Sequence, residues 1–453
     1  MYPRLKLAKE LLTDDGVIFI SIDDNEQANL KIVCDEIFGE ENHISTLPTI
    51  MNLKGNNDEF GFAGTHEYSF VYSKNKNLCN INLFPISNEK ELNQWKEDEK
   101  GVFKKGANLK SSGKNAPREK RPNLFFPIYI NSENKISLKE KEGYQKLLPI
   151  ADSKEMSWRW SKQKILNNLD DIIVSREKNI SLYKKQRPKL GEVPTKKPKT
   201  LFYKPEYSSG NGTSLLKNLF NKKLFDNPKP IELIKDFAVL GINPNDIILD
   251  FFAGSGTTAH AVMQLNAEDG GNRKFILVQL DEKIDPKKSK TVHDFCIENK
   301  FEPVISSITI ERVNRAGEKI KEELKSKKDL LTDKNKKNLD IGYKVFSLTD
   351  KPFINYDTKQ KAFKLTGKRN SHLDTLYNML VATCQTLDTK IETIRDKAIY
   401  KANNEIYVVD KVSHEELKQF KDLKINIDSM ADFDLEEYLN LGITKDSNIT
   451  IVY

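Results

Sequence analysis

Asn245-Asp-Ile-Ile-Leu-Asp-Phe-Phe-Ala-Gly-Ser-Gly-Thr-Thr-Ala-His-Ala-Val262 decides the fold of this 453-residue chain. Ile247, Ile248 and Leu249 form a short apolar run suited to a buried parallel strand, and Ala259 to Val262 open a small-residue helix. Gly254 and Gly256 stand between them. Glycine there permits positive φ and close backbone approach, while the helix start offers unpaired N–H groups and a positive dipole end to a carboxylate or phosphate. Two common loops are excluded. A phosphate-binding loop needs lysine after its last glycine, where this chain has Thr257, and a dinucleotide GxGxxG loop needs a third glycine where Ala259 stands.

The segment Phe252-Ala-Gly-Ser-Gly-Thr-Thr258, after a strand ending in Asp250, resembles the S-adenosylmethionine loop of amino-group DNA methyltransferases. Phe225-Asp-Asn-Pro-Lys-Pro-Ile-Glu-Leu-Ile-Lys235 before it and Asp269-Gly-Gly-Asn-Arg-Lys-Phe-Ile-Leu-Val-Gln-Leu-Asp-Glu282 after it resemble the modification subunits of type III restriction systems, which methylate adenine N6 in a short DNA site. Further resemblances lie in Arg118 to Ile130, with Arg121-Pro-Asn-Leu-Phe-Phe-Pro-Ile128, in Trp158-Arg-Trp-Ser-Lys-Gln-Lys164 and in Gly212-Thr-Ser-Leu-Leu216. They fall in the family's order and cover most of residues 1 to 350.

The resemblance implies an α/β fold: a Rossmann-like methyltransferase sheet, permuted and interrupted by a DNA-recognition insert, with a small C-terminal α/β domain. It implies S-adenosylmethionine as cofactor, held by Asp250, Phe251, Phe252, Ala253, Gly254, Ser255, Gly256, Thr257 and Thr258. Lys229 and Pro230 lie in the segment that covers the cofactor's amino-acid end, although a helix start also explains Pro230. The strand Lys274 to Leu280 would normally end on an acid for the ribose hydroxyls, and here Gln279 takes that place, with Asp281 and Glu282 just beyond. Partners implied are double-stranded DNA, a second copy of the chain and a type III restriction subunit.

Composition narrows the class without deciding it. Charged residues make up 31% and the net charge is +7, which suits a nucleic-acid partner and equally a plain solvated surface. Cys34, Cys79, Cys296 and Cys384 show no CxxC spacing, so no zinc site is expected, and a reducing cytoplasm is. No apolar run approaches the ~20 residues of a membrane helix.

Along the chain, residues 1–76 form the first part of the methyltransferase core. Leu5, Leu7, Ala8, Leu11 and Leu12 predict an amphipathic helix, Val17 to Asp24 a strand and Ala28 to Phe38 a second helix, an alternation that predicts a parallel sheet. Asp23 and Asp24 either cap the next helix or contact a ligand. His66, beside the strand that ends at Ser73, is a candidate for the edge of the target-base pocket or a structural histidine. Residues 77–215 interleave basic and aromatic side chains and form the target-recognition region. Arg118, Arg121, Trp158, Arg159, Trp160 and Lys162 are its candidate DNA contacts, because cations neutralise phosphates and rings can prop the gap left by an extruded base. The alternative is a solvated, loop-rich insertion. Residues 216–305 are the second part of the core with the cofactor loop. Residues 306–453 hold a charged helix to about 338, with Arg312 and Arg315 expected in solvent or facing DNA, and then a C-terminal assembly domain that includes a strand from Glu405 to Asp410.

One element of the family pattern is absent. Transfer to an exocyclic amine needs acceptors that orient its lone pair, and the family supplies them from Asp-Pro-Pro-Tyr or a close variant. None of the 17 prolines adjoins another, so no catalytic residue is assigned. Three alternatives follow. The chain is a truncated adenine methyltransferase that is inactive alone, a non-catalytic recognition and assembly module, or a methyltransferase of RNA or a small molecule. Under the first, the missing strand belongs between those ending at Asp250 and Asp23, and two strand edges are left open.

Overall fold

Leu5 and Ala8 lie one turn apart and are buried on the helix Tyr2–Leu11 (α1), while Leu7 and Leu11 are exposed. The computed structural model describes the whole chain except residues 56–60, 87, 178, 189–193, 327–338, 349–352, 358–361, 367–370, 432–447 and 453. Two compact units result, Met1–Ile341 and Gly342–Tyr453.

In the first unit the strand Val17–Ile22 (β1) sends alternate side chains to opposite faces. Ile18, Ile20 and Ile22 pack with Leu30, Cys34 and Phe38 of the helix Gln27–Phe38 (α2), whereas Val17 and Phe19 join a separate cluster. The strand stops before Asp23, whose carboxylate accepts the backbone N–H of Asn25 at 3.2 Å, a local turn contact. The strands His43–Ile50 (β2) and His66–Ser73 (β3) complete the sheet in the order β1-β3-β2. β3 is antiparallel to both neighbours. β1 and β2 therefore run in the same direction, as strand–helix–strand alternation predicts, but β3 is inserted between them. The all-parallel sheet expected for this part of the chain is corrected accordingly.

Residues 77–215, the expected recognition region, build their own core. Leu109, Phe126, Ile128, Ile130, Trp158, Ile165, Ile172 and Leu182 form one buried cluster, so this region is a folded body rather than a solvated loop. A four-stranded antiparallel sheet frames it, ordered Ile172–Ser175, Ser181–Gln186, Gly101–Asn108, Trp95–Asp98. Asp98 ties the sheet together: its carboxylate accepts from Arg187 at 2.6 Å and from Lys185 at 2.5 Å, and these bonds hold its acid well below the usual range.

The chain then returns to the core through the helices Ser209–Phe220 (α3) and Ile231–Gly241 (α4). Phe237 of α4 stacks on Phe19 of β1 at 4.7 Å between centroids, so α4 covers the face opposite α2. Next comes a strand–helix–strand unit: Ile247–Asp250 (β4), Thr257–Asp269 (α5) and Lys274–Leu277 (β5), with β4 and β5 parallel. α5 is buried on nearly all sides, which its small residues Ala259, Ala261 and Ala267 allow. The helices Lys290–Glu298 (α6) and Ile305–Ser326 (α7) follow. α7 buries Ile308, Thr309, Arg312, Val313, Ala316 and Ile320, a stripe at helical spacing, and belongs to the first unit. The remainder of the expected charged helix lies outside the described residues. β1 and β4 are terminal strands of two separate sheets.

The second unit has a five-stranded sheet ordered Ile391–Arg395, Ile399–Ala402, Glu405–Val408, Lys424–Asp428, Ile449–Val452, antiparallel for the first three strands and parallel for the last three. The helix His372–Ala382 covers one face through Leu376, Met379 and Leu380. Among the described residues no helix is long and apolar enough to cross a membrane, and no group of three or more acidic, His or Cys side chains is placed to hold a metal ion.

Candidate functional site

β4 carries the chain to the glycine loop, and the loop's own residues set its shape. Gly254 has φ of 52° and Gly256 of 77°, both in the region that disfavours other residues. Asp250 bonds inside the turn: one carboxylate oxygen accepts the Phe252 N–H at 3.1 Å and the other the Thr258 hydroxyl at 2.6 Å. Gln279 is drawn into the same structure. Its carbonyl oxygen accepts the Gly254 N–H at 2.8 Å, which engages that oxygen in the loop. Ala253 donates to Val278 at 3.2 Å and so extends the ladder beyond β5. Phe251 packs toward the α2 cluster, whereas Phe252 is 53% exposed with the Arg4 guanidinium over its ring at 5.8 Å.

α7 forms the back wall of the loop. The Thr309 hydroxyl donates to the Gly254 carbonyl at 2.5 Å, and a Cβ on Gly256 would lie 3.2 Å from the Thr309 methyl group. Arg312, wholly buried, donates to the hydroxyls of Ser255 at 2.5 Å and Thr257 at 2.7 Å. Its expected place in solvent or facing DNA is therefore corrected. The signal was present in the sequence, because Ile308, Ala316 and Ile320 repeat every fourth or eighth residue around position 312 and mark that face as buried. His260, one turn into α5, is buried too, and burial followed by the nearby Arg312 charge pushes its imidazole down to about 3.

Lys229 pairs with Glu67 at the start of β3, bringing two segments singled out by sequence together. Pro230 is the buried residue that starts α4, with φ of −64°. His66 is exposed and lies edge-on to Tyr68 at 5.1 Å. A cavity of about 330 Å³ opens beside its register partner Ile50, with Met51, Lys54 and Tyr203 in the wall.

In the recognition region the candidates divide. Trp158 is 2% exposed and donates its indole N–H to the Phe126 carbonyl at 2.8 Å, so it is an interior residue. Arg159 is exposed but braces the backbone, donating to the Asn108 carbonyl at 2.9 Å. Arg118 pairs with Glu155 at 2.8 Å and covers the Phe125 ring at 4.3 Å. Trp160 is half-buried beneath the Lys164 ammonium, and Lys162 lies 5.4 Å over the Phe126 ring. Arg121 is exposed between the short turns Arg118–Lys120 and Pro122–Leu124.

The sequence that folds into this loop is similar to that of known proteins. A family model described as DNA methylase matches residues 1–285. The chain is 50% identical over 296 residues to the type III restriction-modification enzyme EcoPI Mod subunit of Escherichia phage P1, covering 64% of this chain and 46% of that one. It is 34% identical over 319 residues to the type II methyltransferase M.KpnI of Klebsiella pneumoniae, covering 69% and 72% respectively. The EcoP15I Mod subunit of Escherichia coli is 34% identical over 373 residues, with 77% of this chain and 52% of that one covered. The chain thus spans about half the length of the type III Mod subunits it matches. With the family model matching well over half of its residues, the chain belongs to the DNA methylase family.

Proposed function

We propose that this chain carries the cofactor-binding and DNA-recognition parts of a type III adenine-N6 DNA methyltransferase, with S-adenosylmethionine as methyl donor. The observation that carries this is the Asp250–Thr258 loop: two positive-φ glycines, the start of a buried helix and a buried guanidinium behind it make a cradle that favours a carboxylate-bearing ligand. Bound there, the cofactor supplies an electrophilic methyl group. Ser255, Thr257 and the first turn of α5 would hold its anionic end, Phe252 offers an exposed ring, and Lys229, paired with Glu67, lies in the segment proposed to cover the amino-acid end. The cavity beside Ile50, the register partner of His66, is the proposed edge of the target-base pocket. Arg118, Arg121, Arg159, Trp160 and Lys162 surround a folded recognition body suited to duplex DNA, with Trp158 supporting it from within.

The identity to Mod subunits of type III restriction-modification enzymes supports the methyltransferase assignment and a restriction subunit as partner, and a second copy of the chain is proposed beside it. Because no Asp-Pro-Pro-Tyr-like segment occurs in the 453 residues, the chain alone is expected to bind but not to transfer methyl. A second reading, a non-catalytic recognition and assembly module, is favoured by the self-contained core of the recognition region. Calorimetry with adenosylhomocysteine, salt-titrated duplex binding and a tritiated-methyl assay on the purified chain test both. Cofactor and duplex binding without transfer is the expected result. No binding to either ligand would overturn the proposal, and transfer would overturn the inactivity.

A further inference from the structure

We propose that Arg312 is a positioning residue for the anionic end of the cofactor, acting through the Ser255 and Thr257 hydroxyls; this rests on the loop being an S-adenosylmethionine site. Arg312 is 0% exposed, and its Nε and Nη2 groups have no hydrogen-bond partner. No carboxylate pairs with it among the described residues, and burial alone lowers its basicity. A buried charge in that state is costly, and the natural compensation is an opposite charge brought close. His260 adds no second cation, since its buried imidazole is neutral.

The two hydroxyls stand at the start of α5, Thr257 being its first residue and Ser255 two residues before it. Nη1 donates to both, and they stand 3.3 Å apart, so one donates to the other. Each hydroxyl has one proton to give, which leaves one O–H for an acceptor outside the pair. A carboxylate on the front of the loop supplies that acceptor. It also meets the helix dipole and, one layer behind, the Arg312 charge in a low-dielectric interior. Thr309 of the same helix holds the Gly254 carbonyl, so α7 sets both the shape and the charge of the cradle.

The discriminating ligands are adenosylhomocysteine and 5′-methylthioadenosine, which share the nucleoside thioether and differ by the amino-acid end with its carboxylate and ammonium. Calorimetry on the full chain is compared with Arg312→Met, Arg312→Lys and Ser255→Ala. Arg312→Met is expected to weaken adenosylhomocysteine at least about tenfold, the scale of one charge-assisted interaction, and to leave methylthioadenosine within about twofold. Arg312→Lys recovers part of the loss. Ser255→Ala, which leaves the buried charge in place, shows the same selectivity even if Arg312→Met fails to fold. Equal losses for both ligands, or no loss, overturn the proposal in favour of a merely structural arginine. A wild-type chain that binds neither ligand overturns the cofactor assignment itself and this inference with it.

Discussion

The glycine loop and the recognition region solve opposite problems with similar residue types. In the loop, charge is hidden: Arg312 is buried behind Ser255 and Thr257, and Asp250 bonds within its own turn. In the recognition region charge is displayed around a buried aromatic centre, with Arg118, Arg159 and Lys162 at the surface and Trp158 inside. A cofactor site works by preorganised groups in a low-dielectric setting, whereas phosphate binding needs cations in water whose counterions can be released. Burial, not residue type, therefore separates the two roles.

The sharpest way to break that contrast is Trp158→Ala. Removing a buried indole that also bonds the Phe126 carbonyl should cost about 3–5 kcal/mol in the recognition core. Urea unfolding should show an early transition and duplex affinity should fall, while adenosylhomocysteine binding persists. Unchanged stability would return Trp158 to the DNA-contacting surface. On the loop side, His260 predicts an acid limb. Its folded pKa, about 3, lies below the unfolded value near 6.5, so the unfolded chain binds more protons between them. Stability should therefore drop as pH falls below about 6.5, by up to ~1.4 kcal/mol per unit from this group. His260→Leu should flatten that limb in melting curves, and an unaltered slope would contradict the buried, neutral imidazole.

Gly256→Ala addresses the loop's backbone. The φ of 77° and the 3.2 Å approach to Thr309 should together cost at least about 1–2 kcal/mol and weaken adenosylhomocysteine binding with little effect on DNA. Differential melting and calorimetry read both, and retained cofactor affinity would detach α7 from the site. This backbone requirement is also why the loop was legible in sequence: Asp250, Gly254 and Gly256 announce a turn by their chemistry alone. The two parallel strands on either side were legible for a similar reason, as short apolar runs flanking a small-residue helix, but the expected burial is corrected, since Ile247 at the start of β4 is 56% exposed. β3's insertion between β1 and β2 was not, since antiparallel pairing across the chain is a long-range choice. Arg312 was hidden by its charged neighbours, although the apolar stripe of α7 marked its face. Trp158 was hidden by basic ones, because an indole beside Arg159 and Lys162 fits a core or a nucleic-acid surface equally in sequence. Gln279 was legible as a neighbour of the loop by position, but not its bond to the Gly254 N–H.

The smallest effect belongs to Arg121 and distinguishes display from bracing. Arg118 is paired with Glu155 and lies over Phe125, and Arg159 holds the Asn108 carbonyl, so truncating either disturbs the protein as well as any phosphate contact. Arg121 is exposed between two short turns, and a surface substitution there should change stability by no more than about 0.5 kcal/mol. If it neutralises one phosphate, Arg121→Ala should lower the slope of log affinity against log salt by about 0.9, equally for all duplex sequences. A sequence-dependent loss would instead make Arg121 a base-reading residue. An unchanged slope would put the phosphate path elsewhere on the recognition body, and Arg118 and Arg159 would then be structural cations that brace Phe125 and the Asn108 carbonyl at the surface.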